Sequence, residues 1–155
     1  VKRWPADHFA QLIGRIEAMG ARAVLFTGPG EAGATAEVQE RLASAARVLP
    51  PLPIRSAAAV ISRLDAMVAC DGGIMHTSVA VGTPTVGIFG SSQSSVWFPY
   101  EQHGPYRAAQ IDVECRPCHR HVCPLGHTRC LNDLAPASVA ALVEALLDSS
   151  VRHTR

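Results

Sequence analysis

Apolar residues recur along this chain at two spacings that alternate. Behind Pro5 they fall at helical intervals and define one buried stripe, which Gly20 ends. The stripe consists of Phe9, Leu12, Ile13 and Ile16. The next apolar run, residues 23–27, is short and continuous and leads into glycine and proline, which is typical of a strand buried on both faces. The chain is therefore predicted to begin with a helix and a buried strand.

The same alternation continues to the carboxyl end. The further elements are predicted as a helix from about Glu31 to Ala45, a brief strand near Val48, a helix at 54–64 that buries Ile54, a strand at 66–70, a helix from Asp71 to about Val81, a strand at 85–89 and, after Pro136, an amphipathic helix at about 136–148. Residues 90–95 are predicted to form a flexible polar loop. Short apolar strands alternating with helices require a parallel sheet covered on both faces, so we predict a doubly wound, Rossmann-like α/β fold.

Composition narrows the class of protein. The chain has 155 residues, a net charge of +1, 48% hydrophobic and 17% charged residues. These values predict one globular domain over residues 1–155 and exclude a disordered tail and a basic nucleic-acid binder. Because the apolar runs are too short to cross a membrane and residues 1–5 lead into no apolar stretch, we expect a cytoplasmic protein without a secretory signal or a transmembrane segment. Because the chain opens close to a helix start with no strand before it, we expect a fragment of a larger protein.

Residues 28–33 match the G-x-G-x-x-G fingerprint of dinucleotide-binding turns, between a predicted strand and a predicted helix. A dinucleotide site also needs a carboxylate about 20 residues further on, whereas residues 48–53 are apolar or proline. A tight turn that merely joins strand to helix explains the glycines equally well. Glu31 would repel a pyrophosphate, but it is suited to hydrogen bonds with ribose hydroxyls.

A second glycine-rich turn, Asp71-Gly72-Gly73, joins a predicted strand to the helix that carries His76. Helix N-termini favour anions, ligands of open α/β sheets gather at this edge, and paired glycines let a phosphate approach the backbone. His76, one turn into the helix, is placed to donate to a phosphate oxygen. In the alternative reading Asp71 only caps the helix and His76 is a satisfied, partly buried side chain; the doubled glycine favours the phosphate site.

Two further segments suit an anion. Residues 90–92 supply hydroxyl and amide groups directly after a strand, where they would hold the same anion or cap a turn. Lys2 and Arg3 place cations just before a helix N-terminus and suit a ligand phosphate or ribose; a solvated pair of charges is the alternative.

Cys115, Cys118, Cys123 and Cys130 follow the spacing C-x2-C-x4-C-x6-C, with histidines between them. This density of thiol and imidazole groups predicts a structural zinc or iron site that organises a loop without a core. The spacing differs from that of zinc ribbons, so reduced thiols, or disulfides formed on oxidation, are alternatives. The fifth cysteine, Cys70, is predicted to be a small core residue.

Five segments, in order along the chain, resemble one known family. They are KRWP at 2–5, FTGPGE at 26–31, CDGGIMH at 70–76, GTPTVGIFG at 82–90 and WFPY at 97–100. They resemble the carboxyl-terminal half of the family 9 glycosyltransferases, the heptosyltransferases of lipopolysaccharide inner-core assembly. The segment at 115–131 most resembles the heptosyltransferase II members of that family.

The resemblance implies a GT-B enzyme whose carboxyl-terminal half binds an ADP-linked sugar of the ADP-heptose type, while an absent amino-terminal half binds the lipopolysaccharide acceptor. It implies no cofactor for the chemistry and, at most, peripheral contact with the inner face of the inner membrane. Family members invert the anomeric centre with a carboxylate of the other half as general base. We therefore expect this chain alone to bind ADP without transferring sugar.

The family pattern also implies roles for single residues. Lys2 would meet the phosphate or ribose of the nucleotide, Glu31 the ribose hydroxyls and Leu52 the adenine. The residues expected around the diphosphate and sugar are Asp71, Gly72, Gly73 and His76, with Gly28 in the nucleotide-binding turn and His76 as the group that stabilises the leaving phosphate. Many members carry Ser or Thr at the position of Gly72, so the donor sugar stays open.

Two other functions compete with this one. A related sugar-nucleotide enzyme of the same fold, such as a 2-epimerase, also carries an acidic-glycine turn before a helix. Such enzymes usually follow the turn with paired glutamates, where this chain has Met75, His76 and Thr77. A metal-dependent interaction module built on the cysteine segment, residues 115–130, would need no nucleotide at all.

Overall fold

The computed structural model describes residues 2–43 and 46–153, with side chains described to residue 148. Helices and strands alternate through most of this part of the chain, in an α/β arrangement. The helices are α1 (Ala6–Ala18), α2 (Ala32–Gln39), α3 (Ile54–Ile61), α4 (Gly73–Ala80), α5 (Ser94–Trp97), α6 (Arg129–Asn132) and α7 (Pro136–His153). The strands are β1 (Val24–Phe26), β2 (Arg47–Leu49), β3 (Met67–Cys70), β4 (Thr85–Ile88) and β5 (Tyr106–Ala109).

The strands form two parallel sheets. In the smaller sheet β1 pairs with β2, with Leu25 opposite Val48. In the larger sheet the order is β3-β4-β5, and Ala69 lies opposite Gly87, which lies opposite Ala108. All strands within a sheet run in one direction, so their carboxyl ends share an edge.

Helices cover both faces of the larger sheet. Successive side chains of a strand point to opposite faces, and in β3 Val68 and Cys70 pack against the core beneath α1 and α7, whereas Met67 and Ala69 pack with Met75 of α4. Every residue of β4 is buried. The predicted parallel, doubly covered arrangement is therefore found in this sheet.

The core beneath α1 and α7 ties the two ends of the chain together. Trp4 is fully buried there, and its indole Nε1 donates a hydrogen bond to the Leu134 carbonyl at 3.1 Å. The predicted apolar stripe of α1 is confirmed, since Leu12 and Ile13 are buried and Phe9 packs against the same core. Burial of a large aromatic side chain this close to the first residues fixes the path of the chain before α1.

The structure corrects several predicted elements. Helix α2 ends at Gln39 rather than near Ala45, a residue outside the described part of the chain. Ile54, expected in the buried face of α3, is 63% exposed. Residues 90–95 are not a flexible loop, because Ser91, Ser92 and Ser94 are buried and α5 begins within them. Strand β5 and the short helix α6 have no counterpart among the predicted elements.

Candidate functional site

The predicted ligand-binding segments lie at the carboxyl edges of the sheets. In the smaller sheet these are residues 28–31 after β1 and residues 50–53 after β2. In the larger sheet they are residues 71–72 after β3 and residues 89–92 after β4. Ligands of open α/β folds bind at this edge, so the geometry places the segments where binding is expected.

Lys2 is held at the end of β3 because Trp4 is buried two residues later. Its ammonium nitrogen lies 2.8 Å from Oδ2 of Asp71. The Asp71 side chain is 5% exposed, whereas the Lys2 side chain is 44% exposed. An enclosed carboxylate therefore orients a cation that remains open to solvent.

The thiol of Cys70 lies within the electrostatic reach of several site residues. Cys70 packs against the core, as expected, and desolvation of its thiol is the main cause that raises its pKa to about 11. The Trp4 backbone N–H opposes this shift, and the carboxylates of Glu31 and Asp71 add to it. Because electrostatic effects of this kind need proximity, Glu31 of the first turn and Asp71 of the second both lie within electrostatic reach of Cys70.

The turn after β1 brings the Glu31 carboxylate back over Gly28. The Glu31 backbone N–H donates to the Gly28 carbonyl at 3.0 Å. A Cβ added at Gly28 would collide with Oε2 of Glu31, so this glycine leaves room for the carboxylate. Gly30 has φ +76°, a conformation that favours glycine. The turn explanation is therefore sufficient for Gly30, while Gly28 is tied to the position of Glu31.

Neither glycine of the turn after β3 is required by the described fold. Gly72 has φ −179°, an extended conformation open to any residue, and a Cβ there would meet only the Cys70 carbonyl at an ordinary 3.7 Å. A Cβ at Gly73 would meet no other side chain and no distant backbone atom within 4 Å among the described residues. Because glycine has no side chain, Gly72 and Gly73 leave open space at the start of α4, where helix N–H groups lack intrahelical partners.

His76 is oriented by a tyrosine that the sequence analysis did not assign to the site. Its Nδ1 lies 3.2 Å from the hydroxyl of Tyr100, and the two rings meet edge to face with their centroids 6.0 Å apart. His76 is half-buried. Tyr100 belongs to the WFPY segment of the family resemblance, which was the available signal for it.

Ser92 also joins the site in a way that the sequence did not reveal. Its hydroxyl donates to Oδ2 of Asp71 at 2.6 Å. Its carbonyl accepts from the Arg116 guanidinium at 3.0 Å. The serines after β4 were expected to bind the anion or cap a turn, and this serine instead contacts the carboxylate of the neighbouring turn.

Leu52 lies between β2 and α3, at the carboxyl edge of the smaller sheet, and is half-buried. The neighbouring Ile54 is largely exposed. The expected contact of Leu52 with adenine stays a prediction.

The structure does not support the predicted zinc or iron site. Within residues 2–43 and 46–153, no three His, Cys, Asp or Glu side chains converge as a metal-binding group. Cys130 lies in the apolar core, where desolvation raises its pKa, whereas the backbone N–H of Thr128 lowers the pKa of Cys123. The environments differ because the chain between these residues turns back on the Cys123 sulfur, while α6 carries Cys130 inward. All five cysteines are free thiols.

Two cavities of about 350 Å³ lie away from the glycine turns. One is lined by α1 together with Arg41 and Leu42, and the other by Arg3 with residues of the cysteine segment. The candidate site is therefore an open edge rather than either of these cavities.

Among the described residues, no helix has both the length and the apolar character needed to cross a membrane.

The fold places the chain in the α/β class with parallel sheets, and comparison with known proteins identifies its family. A model of glycosyltransferase family 9 (heptosyltransferase) matches residues 1–129. The chain therefore belongs to glycosyltransferase family 9, which confirms the recognition made from the five segments.

Similar proteins agree with this membership. Lipooligosaccharide heptosyltransferase 2 of Campylobacter jejuni is 26% identical over 153 residues, covering 96% of this chain and 48% of that protein. Lipopolysaccharide heptosyltransferase 1 of Pseudomonas aeruginosa is 29% identical over 167 residues, covering 94% of this chain and 44% of that protein. The chain thus spans about half the length of these relatives.

Solved structures confirm the predicted fold class, the Rossmann-like half of a GT-B glycosyltransferase. The ADP-heptose lipopolysaccharide heptosyltransferase II of Escherichia coli has a TM-score of 0.80 at 26% identity, and the match covers 96% of this chain and 43% of that one. The Escherichia coli heptosyltransferase WaaC, solved with ADP, has a TM-score of 0.71 at 23% identity, and the match covers 94% of this chain and 40% of that one. This match shows a similar fold.

Proposed function

We propose that this chain binds the ADP part of a nucleotide sugar, as the donor-binding half of an inverting glycosyltransferase of lipopolysaccharide core assembly. The observation that carries the proposal is the turn at residues 71–73. Its two glycines leave space that the described fold does not need, at a helix N-terminus, beside the Lys2 ammonium. Close backbone approach, helix dipole and a cation together are suited to a diphosphate.

The nucleotide would lie along the carboxyl edges of both sheets. We assign the diphosphate to Gly72, Gly73 and the Lys2 ammonium. The Glu31 carboxylate, which lies over Gly28, would accept hydrogen bonds from the ribose hydroxyls. Leu52, at the same edge of the neighbouring strand, would pack on the adenine. Related structures support ADP as the nucleotide, since WaaC was solved with it.

His76 is the group we assign to the leaving phosphate. Tyr100 engages its Nδ1, so Nε2 is the ring nitrogen that would donate to the ligand. As the bond from sugar to phosphate breaks, negative charge develops on the diphosphate, and donors fixed in advance stabilise it. Lys2, the α4 amides and His76 supply such donors, and this chemistry needs no cofactor.

The sugar and the acceptor belong to the same proposal. The similar proteins are heptosyltransferases, so we propose an ADP-heptose-type donor and a lipopolysaccharide-core acceptor. The acceptor and the general base that deprotonates its hydroxyl would come from an acceptor-binding half. Such an enzyme would work in the cytoplasm at the inner face of the membrane, without a nucleic-acid partner.

Isothermal titration calorimetry with ADP tests the proposal. We expect the parent chain to bind ADP, and His76→Ala to weaken binding by about tenfold, the cost of one hydrogen bond to a charged group. His103→Ala is the matched control, because His103 is exposed and outside the site. No binding by the parent, or equal binding by His76→Ala and the parent, would contradict the proposal. If a different nucleoside diphosphate bound more tightly than ADP, the donor would be a sugar linked to that nucleotide instead.

A further inference from the structure

We propose that Ser92 is a positioning residue of the nucleotide site, which fixes the Asp71 carboxylate so that Asp71 in turn orients Lys2. The cysteine segment, residues 115–130, holds Ser92 in place. The inference rests on the proposed function, because the orientation of Lys2 matters to a diphosphate only if one binds at the turn.

One carboxylate oxygen carries both contacts. Oδ2 of Asp71 accepts the hydroxyl of Ser92 at 2.6 Å and pairs with Nζ of Lys2 at 2.8 Å. Ser92 is 4% exposed, and the Asp71 side chain is 5% exposed. Hydrogen bonds to a charged group are stronger than neutral ones, and an enclosed one resists competition from water. The hydroxyl of Ser92 therefore fixes the rotamer of the carboxylate that Lys2 meets.

Lys2 needs such a fixed partner. Its side chain is 44% exposed, and a lysine in solvent gains little from an ion pair because ordering its flexible chain costs entropy. A partner that is itself rigid removes part of that cost before the ligand arrives, and this is how preorganisation increases affinity.

The cysteine segment holds the serines after β4 through its backbone and through the Arg116 side chain. The carbonyl of Ser91 accepts the backbone N–H groups of Cys118 at 3.1 Å and of His119 at 3.0 Å. The Ser91 hydroxyl donates to the Arg120 carbonyl at 3.0 Å. The Arg116 guanidinium donates to the Ser92 carbonyl at 3.0 Å. These four bonds give the segment a role at the site through its fold, without a metal.

Lys2 is the only lysine in the chain, so among the side chains an amine-reactive probe reports on it alone. We would measure the rate of acylation of Lys2 by an N-hydroxysuccinimide ester, by peptide mass spectrometry that resolves it from the terminal amine. Ser92→Ala should raise this rate by about threefold to tenfold, because loosening the carboxylate frees the ammonium. Asp71→Asn is the positive control. Ser95→Ala, at an exposed serine of α5, should match the parent.

ADP titration of a double-mutant cycle separates positioning from a merely structural role. Ser92→Ala should weaken ADP binding about threefold to tenfold in the parent and leave it unchanged in Lys2→Met, since the serine acts through the lysine. If Ser92→Ala does not fold, Ser92→Cys keeps a single γ atom and donates a weaker hydrogen bond, and the same comparison is made with it.

Each outcome is decisive. An unchanged acylation rate in Ser92→Ala, or an equal loss of ADP affinity in both backgrounds, would overturn the positioning role. If the parent chain binds no ADP while the acylation rate still rises in Ser92→Ala, the proposed function fails and the positioning of Lys2 by Ser92 and Asp71 is upheld.

Discussion

Asp71 is the residue on which the described contacts of the site converge. It pairs with Lys2 and accepts from Ser92, two residues that lie 69 positions before it and 21 positions after it in the chain. The types of the three residues could be predicted as suitable for an anion site, but their mutual contacts could not. A contact between distant positions depends on how the strands are ordered in the sheet, and the type of a single residue does not indicate that order.

Cys70 gives a prediction at this scale, in the dependence of stability on pH. Its pKa is about 11 in the folded protein against an ordinary value of 9.0. The folded state therefore keeps the thiol proton more tightly than the unfolded state does. The stability that this group contributes is complete below pH 9 and is lost as the pH rises through about 11, by roughly 2–3 kcal/mol.

Urea unfolding between pH 8 and pH 11 measures this loss. Other thiols and tyrosines also titrate in this range, so the difference between the parent and Cys70→Ala isolates the contribution of Cys70. The two proteins should converge in stability as the pH rises. A difference that stays constant from pH 8 to pH 11 would show that the thiol is not desolvated in the folded state.

At the scale of elements, the sequence predicts those helices and strands that have a local pattern of apolar residues. Short apolar strands followed by glycine turns predicted β1, β3 and β4, and helical spacing predicted α1 and the start of α7. Strand β5 was missed because its residues, Tyr106–Ala109, combine an exposed arginine with small side chains and have no apolar run. It becomes a strand by pairing with β4, a tertiary effect.

The cysteine segment shows a different limit. Its spacing and composition predicted a metal site, and the structure instead turns Cys130 into the apolar core. Cysteine is both a metal ligand and a small apolar residue, so a cysteine-rich sequence is compatible with a metal site and with burial in the core. Which one applies depends on the direction of each side chain, and this follows from packing rather than from spacing.

Gly87, in the middle of β4, gives a prediction for the packing of an element. A Cβ there would lie 2.8 Å from Sδ of Met75 and 3.0 Å from the Phe89 ring. Gly87→Ala should therefore destabilise the protein by about 1–3 kcal/mol, because α4 must shift away from the strand. Gly14→Ala is the matched control, since Gly14 lies exposed in α1 with open space around it.

Chemical denaturation compares the two variants with the parent. Gly14→Ala should stabilise the protein by about 0.4–1 kcal/mol, because alanine is the better helix residue. If Gly87→Ala were as stable as the parent, the close approach of α4 to β4 would not exist in solution.

At the scale of the whole molecule, the chain belongs to glycosyltransferase family 9 and has the fold of the matching part of heptosyltransferases. The first residues of the chain meet the turn after β3, where Lys2 pairs with Asp71. Trp4 and α7 close the core behind that edge. The family and the fold class were both predictable, because five ordered segments and a regular alternation of elements carry them.

The central claim is that the turn at residues 71–73 exists to admit a diphosphate. Titration of ADP into Gly73→Ala tests it most directly, because a methyl group fits there without touching other described side chains and removes only the open space at the start of α4. The account predicts that Gly73→Ala keeps or slightly raises the melting temperature of the parent and loses about tenfold or more in ADP affinity, while Gly14→Ala binds like the parent. Equal ADP affinity of Gly73→Ala and the parent would contradict it.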